Sequence, residues 1–330
     1  MFNIFKTYVS PSYKEIITQG GKKKRRASDF EAISMFMIYV AVCLVASLYY
    51  RIRYFSLFKN VNPIFLKYRD AFGFWLLTGN WHKAFEGYFF TKVDIKSPSL
   101  EIGFYSGSVS ALHFEGKKFD FGSEYVYQIG KKGMETFKLW DHIYCEELTS
   151  LAAKDNSFQT ICLVHIVDHL EQLDPAFREL GRVLNKGGSL YFSGYCEHAM
   201  RPNLVWRLLS LFSNDLAQRY SDALSRRRKL WNFWSQDQWK TFLAKHNFDL
   251  VEFHYMGAGG GQPYIAYFLH YLLFYKGCFE NKFFLKKGFV KIFQPLFYFF
   301  FMSIGYPIFH KIQEKRQKWS TDFFIVASRS

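Results

Sequence analysis

Residues 99–107, with the sequence SLEIGFYSG, place an acid and two glycines around a predicted strand-to-helix turn. Glu101 lies in the short strand, and Gly103 and Gly107 follow it. Glycine lets a ligand approach the backbone closely, and the first N–H groups of the short helix predicted for 108–114 have no partners inside that helix. The turn is therefore a candidate ligand-binding loop. The alternative interpretation is a tight turn that binds nothing.

A second acid follows in the next predicted strand. The run KFDF at 118–121 has strand character and puts Asp120 just before a turn at Gly122. An acid at the end of the second strand of a doubly wound sheet usually holds the ribose of a nucleoside. We therefore expect Asp120 to bind a ribose.

His165 and His169 are four residues apart, a spacing that can put two imidazoles on one face of a helix. A zinc site is one interpretation of this pair. However, the acid between them is Asp168, whereas the HExxH motif has a glutamate directly after its first histidine, and no third ligand is evident. We therefore expect no metal, and we interpret His165 as lining a ligand pocket or packing in the core.

Cys196, Glu197 and His198 follow a strand that is predicted to end near Tyr195. Side chains in this position commonly face the substrate in doubly wound sheets. His198 and His165 are therefore the two candidates for a general base. A solvated loop is the alternative interpretation of 196–198.

The stretch 155–195 must position these groups. Thr160–Val164 is an apolar run of strand length, and Leu190–Phe192 opens another strand after a glycine pair. Between them, apolar residues recur at steps of three and four, which predicts an amphipathic helix with Asp174 as N-cap and Pro175 as its first residue. A strand, a helix and a strand within about forty residues form the βαβ unit of a parallel sheet.

Three short motifs in this stretch carry a family resemblance. They are DNSF at 155–158, HIVDHL at 165–170 and RVLNKGG at 182–188. With this spacing, the region of roughly 99–195 resembles the class I S-adenosylmethionine-dependent methyltransferases, in particular the type 11-like branch that acts on lipids, quinones, sugars and other small molecules. The resemblance implies an α/β fold with a doubly wound, Rossmann-like sheet and helices on both faces. It also implies S-adenosylmethionine as the cofactor.

The resemblance implies a set of cofactor-binding residues. In the family, the glycine loop cradles the methionine part of the cofactor, an acid after the second strand holds the ribose, and an acid after the third strand lies near the adenine. The corresponding residues here are Glu101, Gly103, Ser106, Gly107, Asp120, Glu147 and His165, with Glu146 as the less favoured alternative to Glu147.

The sequence departs from the family pattern in three places. Tyr105 stands where the middle glycine of the loop is expected, the segment from Gly107 to Asp120 is short, and Gln159 replaces the usual acid of the DxSFD turn. These departures favour a rival hypothesis, in which the domain is catalytically inactive and serves in membrane or protein binding.

Composition limits the cellular setting and the partners. The five cysteines are scattered and form no CxxC pair, which favours a reducing compartment and argues against a disulfide framework. The net charge of +15 would suit nucleic acid, but 39 Phe and 22 Tyr accompany it and no target-base motif is evident. Apolar stretches next to Lys and Arg clusters are more typical of attachment to an anionic membrane surface. We therefore expect a membrane partner and no nucleic acid.

The chain divides into predicted regions by composition. The uncharged run at 33–50 reaches the lower limit for crossing a bilayer, and spanning and in-plane orientations both stay open. A last strand, DFFIVAS at 322–328, must rejoin the sheet after a hydrophobic insertion. The predicted regions are a basic arm at 1–32, an anchor helix at 33–53, amphipathic lid or linker helices at 54–94, and a methyltransferase domain at 95–330 that carries the insertion at 264–310.

The expected function follows from these features. The resemblance implies methyl transfer from S-adenosylmethionine, and the apolar regions indicate a small-molecule, lipid or glycolipid acceptor that is amphipathic or membrane-borne. Because S-adenosylmethionine is made in the cytosol, we expect a membrane-associated protein whose catalytic domain lies on the cytoplasmic side.

Overall fold

The computed structural model describes residues 29–72, 81–200, 204–256, 287–313 and 320–330. The chain divides into two compact units. Unit 1 comprises 1–85, 201–212 and 258–319, and unit 2 comprises 86–200, 213–257 and 320–330. Most of the predicted basic arm, and 264–286 of the predicted insertion, lie outside the described residues.

Seven strands of the described chain form one sheet in unit 2, in the order β3-β2-β1-β4-β5-β7-β6. Strands β1 to β5 pair in parallel, and β7 runs antiparallel between β5 and β6. The fold is the doubly wound, Rossmann-like sheet expected from the sequence, with one antiparallel strand inserted. The strands are β1 Ser99–Ile102, β2 Phe119–Ser123, β3 Trp140–Tyr144, β4 Phe158–Leu163, β5 Leu184–Tyr195, β6 Phe248–Met256 and β7 Asp322–Arg329.

Helices separate the strands and fill much of unit 1. In chain order they are α1 Asp29–Arg53, α2 Pro63–Phe72, α3 Trp81–Phe90, α4 Ser108–His113, α5 Tyr127–Phe137, α6 Leu173–Val183, α7 Leu204–Phe212, α8 Asn214–Arg228, α9 Gln236–Lys245, α10 Lys287–Phe300 and α11 Tyr306–Gln313. Short 3-10 helices lie at Phe55–Lys59 and Val167–His169, and a π-helical turn lies at Phe301–Gly305.

The predicted βαβ unit is confirmed as β4, α6 and β5. The apolar face of α6 is fully buried at Phe177, Leu180 and Val183, where it packs into the core of the sheet. The predicted N-cap is wrong, because α6 begins at Leu173 and its N-cap is Gln172. Asp174 instead forms ion pairs with Lys245 and with His246 of the α9 end.

Helix α1 in unit 1 has one packed face and one exposed face. Phe36, Cys43, Ser47 and Tyr50 recur at helical spacing and are buried. Large apolar residues on the other side are exposed, among them Met37, Val45, Leu48 and Ile52. In the part of the chain that the structure describes, α1 is the one helix long and apolar enough to cross a membrane, over Phe36–Arg53.

The end of α1 is held inside unit 1 by a polar and aromatic contact. Arg51 Nε donates a hydrogen bond to Ser303 Oγ at 2.9 Å. Its guanidinium lies over the rings of Phe58 and Phe299, 4.4 and 5.3 Å from their centroids. Arg51 therefore joins two apolar segments that are 252 residues apart in sequence, with both cation–π and hydrogen-bond contacts.

Candidate active site

One edge of the sheet gathers most of the predicted site. Strands β1, β2, β4 and β5 are parallel, so their carboxyl ends lie together, and the antiparallel β7 begins at the same place, with Asp322 opposite Tyr195. We call this the carboxyl edge. The order of the strands reverses between β1 and β4, and ligands of doubly wound sheets bind at such a switch point.

The predicted loop at 103–107 leaves the carboxyl end of β1 with a left-handed backbone. The φ angles are +74° at Gly103, +50° at Tyr105 and +75° at Gly107. A Cβ at Gly103 would lie 2.1 Å from Ile166 Cδ1, so the Ile166 side chain would have to move, and the φ angle of +74° itself favours glycine there. Tyr105 adopts a conformation that costs a residue with a Cβ about 1–2 kcal/mol. The loop therefore keeps a glycine-like path despite the tyrosine.

Glu101 lies beneath this loop and is fully buried. Ser110 Oγ donates a hydrogen bond to Oε1 at 2.5 Å, and Trp140 Nε1 donates to Oε2 at 2.9 Å. Burial raises the pKa of Glu101 to about 8, although the two hydrogen bonds lower it in part. The carboxyl is therefore largely protonated at neutral pH, and it ties β1 to α4 and β3. Its contact with the cofactor stays a prediction.

Asp120 does not lie where the sequence analysis put it. Strand β2 runs from Phe119 to Ser123, so Asp120 is near its beginning and far from the carboxyl edge. Its carboxylate accepts hydrogen bonds from Ser97 Oγ, Ser99 N and Ser99 Oγ at 2.7–2.8 Å. The expectation was wrong because the strand extends two residues beyond the predicted end. Asp120 accepts hydrogen bonds from residues just before and at the start of β1, and it is not the acid at the end of β2.

Glu124 is the acid that follows β2 at the carboxyl edge. It is buried, and Oε2 accepts a hydrogen bond from the backbone N–H of Tyr105 at 2.6 Å. Burial raises its pKa above the usual value, although backbone hydrogen bonds lower it in part. Next to it, Ser123 Oγ is buried and makes no hydrogen bond to the described residues. A carboxyl and a hydroxyl thus lie together where a nucleoside ribose is expected.

Other predicted cofactor residues are placed without a contact that tests them. Ser106 Oγ is 3.2 Å from Ser108 Oγ. Glu146 is half-buried and Glu147 is exposed, just after the carboxyl end of β3. Their roles stay predictions.

His165 follows β4 and is nearly surrounded by carboxylates. Its Nε2 is 3.3 Å from Glu86 Oε1 and 3.5 Å from Asp322 Oδ1, and its Nδ1 is 3.6 Å from Asp168 Oδ2. The backbone of His165 is left-handed, with φ +52°, and its N–H donates to Ser193 Oγ at 3.1 Å. Strain of this kind at a strand end is typical of functional sites.

The carboxylates around His165 are themselves buried. Glu86, on α3, lies 2.9 Å from His113 Nε2 through its Oε2 and accepts a hydrogen bond from Ser193 Oγ through its Oε1. Asp168 is fully buried, and neither of its oxygens has a hydrogen-bond partner within the described residues. Burial raises the pKa of Asp168, but His165 and His169 lower it more, so the net pKa lies below the usual value.

His198 belongs to a separate group beyond β5. Tyr255 OH donates to Glu197 Oε1 at 2.9 Å, and His198 Nε2 is 3.6 Å from the same oxygen. Burial and the hydrogen bond with Glu197 raise the pKa of Tyr255. The structure therefore places both predicted base candidates at the carboxyl edge, but in different clusters. Within the described ranges, no group of three or more His, Cys, Asp or Glu side chains has the arrangement of a metal site.

Residues 77–192 match the protein family described as a methyltransferase domain. The matched range contains the loop at 103–107, Glu124 and the βαβ unit as far as Phe192 in β5. The match covers about a third of the chain and supports a methyltransferase that depends on S-adenosylmethionine. No curated protein sequence matches the chain significantly.

The solved structures to which this chain is similar share little sequence identity with it. Geranyl diphosphate C-methyltransferase from Streptomyces coelicolor is 12% identical, with a TM-score of 0.45 and coverage of 74% of this chain and 78% of that chain. A protein described as a sarcosine dimethylglycine methyltransferase from Galdieria sulphuraria is 11% identical, with a TM-score of 0.44 and coverage of 76% and 84%. At these values the similarities say nothing about the acceptor.

The residues at the carboxyl edge carry chemical groups that suit S-adenosylmethionine. The cofactor presents ribose hydroxyls, and Glu124 with the hydroxyl of Ser123, which has no hydrogen-bond partner among the described residues, is a suitable pair for them. It also presents an amino-acid part, and the left-handed loop at 103–107 leads directly into the start of α4. When bound, it supplies an electrophilic methyl group on a sulfonium.

Several residues of this site could not be found from sequence spacing. Glu86 and Ser193 contact each other across 107 residues of chain, and Asp322 joins them from the last strand. One local signal existed for Glu86, which is the sole acid in the mostly aromatic and apolar helix WHKAFEGYFF. Glu124 was missed because the predicted end of β2 fell two residues too early.

Proposed function

We propose that this methyltransferase acts on an amphipathic or membrane-borne small molecule, lipid or glycolipid. The observation that carries the proposal is the exposed apolar face of α1 in unit 1. Val45 and Ile52 on that face are 69% and 81% exposed, and Met37 and Leu48 continue it along the helix. Water-soluble proteins seldom expose contiguous apolar surface of this kind, which is typical of membrane or protein contact.

The exposed apolar side chains concentrate in unit 1. The short helix α7 adds Leu211 and Phe212, and the 3-10 helix after α1 adds Phe55. In unit 2 exposed large apolar residues are fewer, and some of them stand singly, as at Val251 and Leu216, which is normal for a protein surface. A lipid surface would cover the apolar face that unit 1 exposes.

Basic residues accompany this face. Arg53 and Lys59 are exposed at the end of α1 and in the 3-10 helix that follows. Each basic residue near an anionic lipid surface contributes about 1 kcal/mol to binding. The protein's net charge of +15 acts in the same direction. Because the cofactor is cytosolic, we place the catalytic unit on the cytoplasmic side of the membrane.

We assign the chain's own residues to two tasks. Glu124, Ser123 and the loop at 103–107 hold the cofactor, and the groups beyond β4 and β5 orient the acceptor. Catalysis rests mainly on alignment, since holding two reactants in line can lower the barrier by about 7–11 kcal/mol. The loop path at Tyr105 supports an active domain, because it is the path that glycine would take.

Vesicle flotation tests the membrane proposal. The variant Val45→Ser, Leu48→Ser, Ile52→Ser is compared with wild type on phosphatidylcholine vesicles with and without phosphatidylglycerol. We expect at least a hundredfold weaker binding, since each buried Val, Leu or Ile contributes about 1.5–3 kcal/mol. Val251→Ser, at an exposed site of unit 2, is the matched control and should bind like wild type. Equal binding of a folded triple variant and wild type would refute the role of α1.

A further inference from the structure

A basic and aromatic segment joins α8 to α9 in unit 2. Residues 226–234, with the sequence RRRKLWNFW, place four successive basic residues before three aromatic ones. We call this segment the basic strap. No acid lies between Asp222 and Asp237, so the four basic residues are not balanced by acids nearby in the sequence. On membrane-associated helices, clusters of about four to eight Lys and Arg residues typically bind anionic lipids.

Hydrogen bonds fasten the strap to the turn that follows β4. The backbone N–H of Trp231 donates to Asp168 O at 2.8 Å. The side-chain amide of Asn232 donates to Val167 O and Leu170 O at 2.7 and 2.6 Å. Because this turn lies just beyond the carboxyl end of β4, the strap is fixed next to the carboxyl edge.

Burial alternates along the strap. Leu230 and Asn232 are buried, whereas Lys229 and Trp231 are exposed, the indole of Trp231 by 41%. Arg226, in the last turn of α8, is exposed as well. The strap therefore buries residues that fasten it and exposes basic groups and an indole.

The exposed basic groups of the strap are not neutralised by acids of the described chain. Earlier in α8, Arg219 Nε lies 2.9 Å from Asp215 Oδ2. Neither Arg226 nor Lys229 forms such an ion pair with the residues that the structure describes. Basic residues at the end of a helix interact favourably with its dipole, which accounts for their place in α8 but not for the exposed indole. Uncompensated positive charges beside an indole suit an anionic partner.

The indole favours a lipid surface over other anionic partners. Tryptophan is enriched at the membrane–water interface, where its ring lies at the level of the headgroups. Anionic lipids attract basic side chains to the same level. A free phosphate would use the charges of the strap but would gain nothing from an exposed indole. The carboxyl edge, beside the strap, is also where a membrane-borne acceptor has to arrive.

We propose that the basic strap is a second membrane contact, in which Arg226 and Lys229 bind anionic lipid headgroups and Trp231 lies among them; this rests on the proposed function, in that the acceptor is membrane-borne. The contact holds the carboxyl edge of unit 2 at the lipid surface from which the acceptor comes. It differs in kind from the contact of α1, because it depends on charge, whereas the exposed face of α1 is apolar.

Vesicle flotation of the full-length protein tests the charges of the strap. Arg226→Gln with Lys229→Gln should weaken binding to phosphatidylcholine vesicles that contain phosphatidylglycerol by about 30-fold, since each basic residue near an anionic surface contributes about fivefold. On pure phosphatidylcholine vesicles the variant and wild type should bind alike, and high salt should reduce the difference on anionic vesicles. Lys131→Gln with Lys132→Gln, at exposed positions of α5, removes the same charge and is the matched control, which should bind nearly like wild type.

Tryptophan fluorescence gives a second readout. Vesicles of dibrominated phosphatidylcholine with phosphatidylglycerol quench indoles that lie in the lipid interface. Trp231→Phe should remove part of the quenching that wild type shows at the same amount of bound protein. Trp239→Phe replaces a fully buried indole, so it should leave the quenching unchanged.

Three outcomes would overturn the proposal. The first is that the Arg226 and Lys229 variant binds anionic vesicles as tightly as the Lys131 and Lys132 variant. The second is that Trp231→Phe leaves the quenching unchanged. The third is that the strap variant loses affinity for a labelled single-stranded RNA but not for vesicles. The serine variant of α1 should bind more weakly to both kinds of vesicle, whereas the strap variant should differ only on anionic ones, so failure of the strap and failure of α1 are distinguishable.

Discussion

Asp120 and Glu124 are four residues apart, at opposite ends of β2, and their surroundings differ in every respect that matters. Asp120 is half-buried at the beginning of the strand, and hydrogen bonds from Ser99 and Ser97 lower its pKa by more than burial raises it. Glu124 is buried at the carboxyl edge, and burial raises its pKa by more than backbone hydrogen bonds lower it. Asp120 therefore stabilises the fold in its ionised form, whereas burial disfavours the ionised form of Glu124.

The difference shows that the end of the strand on which an acid lies determines its burial and its hydrogen-bond partners. Both acids lie near the second strand, and residue type alone does not separate them. A satisfied carboxylate at the amino end has nothing left to offer a ligand. A carboxyl that is buried at the switch point, where it loses its hydration, is a candidate for binding or catalysis.

The largest effect is expected for Glu101, the most buried acid of this group. Its pKa is about 8, against an ordinary value of 4.5, so the folded protein binds a proton in this range that the unfolded protein lacks. The free energy of unfolding should therefore fall as pH rises from about 4.5 to 8, by up to about 1.4 kcal/mol per pH unit. Glu101→Gln should remove this component, as chemical denaturation across that range would show.

Glu135→Gln, at an exposed position of α5, is the control for Glu101 and should keep the wild-type pH dependence. If Glu101→Gln also kept the wild-type pH dependence, Glu101 would be ionised in the folded protein. Burial would then not raise the pKa of this acid in β1.

The second effect concerns the cofactor and compares the two ends of β2 directly. Glu124→Gln should weaken binding of S-adenosylmethionine by roughly 1.5–3 kcal/mol, about 10- to 100-fold, because a hydrogen bond to a charged group is lost. Asp120→Asn should leave the affinity unchanged. Isothermal titration calorimetry measures both. A loss in the Asp120 variant with none in the Glu124 variant would reverse the assignment.

A third, smaller effect should appear in stability at the amino end of β2. Asp120→Asn should lower the free energy of unfolding by about 1 kcal/mol at pH 7, since Ser97 and Ser99 lose part of their acceptor. The pKa of Asp120 is lowered in the folded protein, so this contribution is present above about pH 4 and disappears as pH falls. Urea unfolding should show a smaller difference in the free energy of unfolding between variant and wild type at pH 3 than at pH 7. A gap that persists at pH 3 would mean that the charge of Asp120 is not its cause.

The smallest effect tests the loop backbone. Tyr105→Gly and Tyr105→Ala both remove the ring, but only glycine relieves the left-handed φ of +50°. The glycine variant should therefore be more stable than the alanine variant by about 1 kcal/mol in thermal unfolding. Equal stability, or a more stable alanine variant, would show that the backbone moves away from this conformation when the ring is absent.

Local pattern was sufficient for most of the fold. The period of the apolar residues in 155–195 predicted β4, α6 and β5. Errors fell at element ends, such as the N-cap of α6 and the end of β2. Neighbouring residues with similar propensities leave such ends undefined until pairing with other strands fixes them.

The sequence by itself indicated where the cofactor site that we propose lies, because Gly103, Gly107 and the motifs that end at Gly188 are local features whose spacing can be read along the chain. It did not determine which acid serves that site, since a shift of two residues in the end of β2 exchanges Asp120 for Glu124. Only the tertiary structure brought Glu86, Asp168 and Asp322 to His165. These residues lie on separate elements, and their proximity follows from strand order and from the antiparallel entry of β7, which no local pattern encodes.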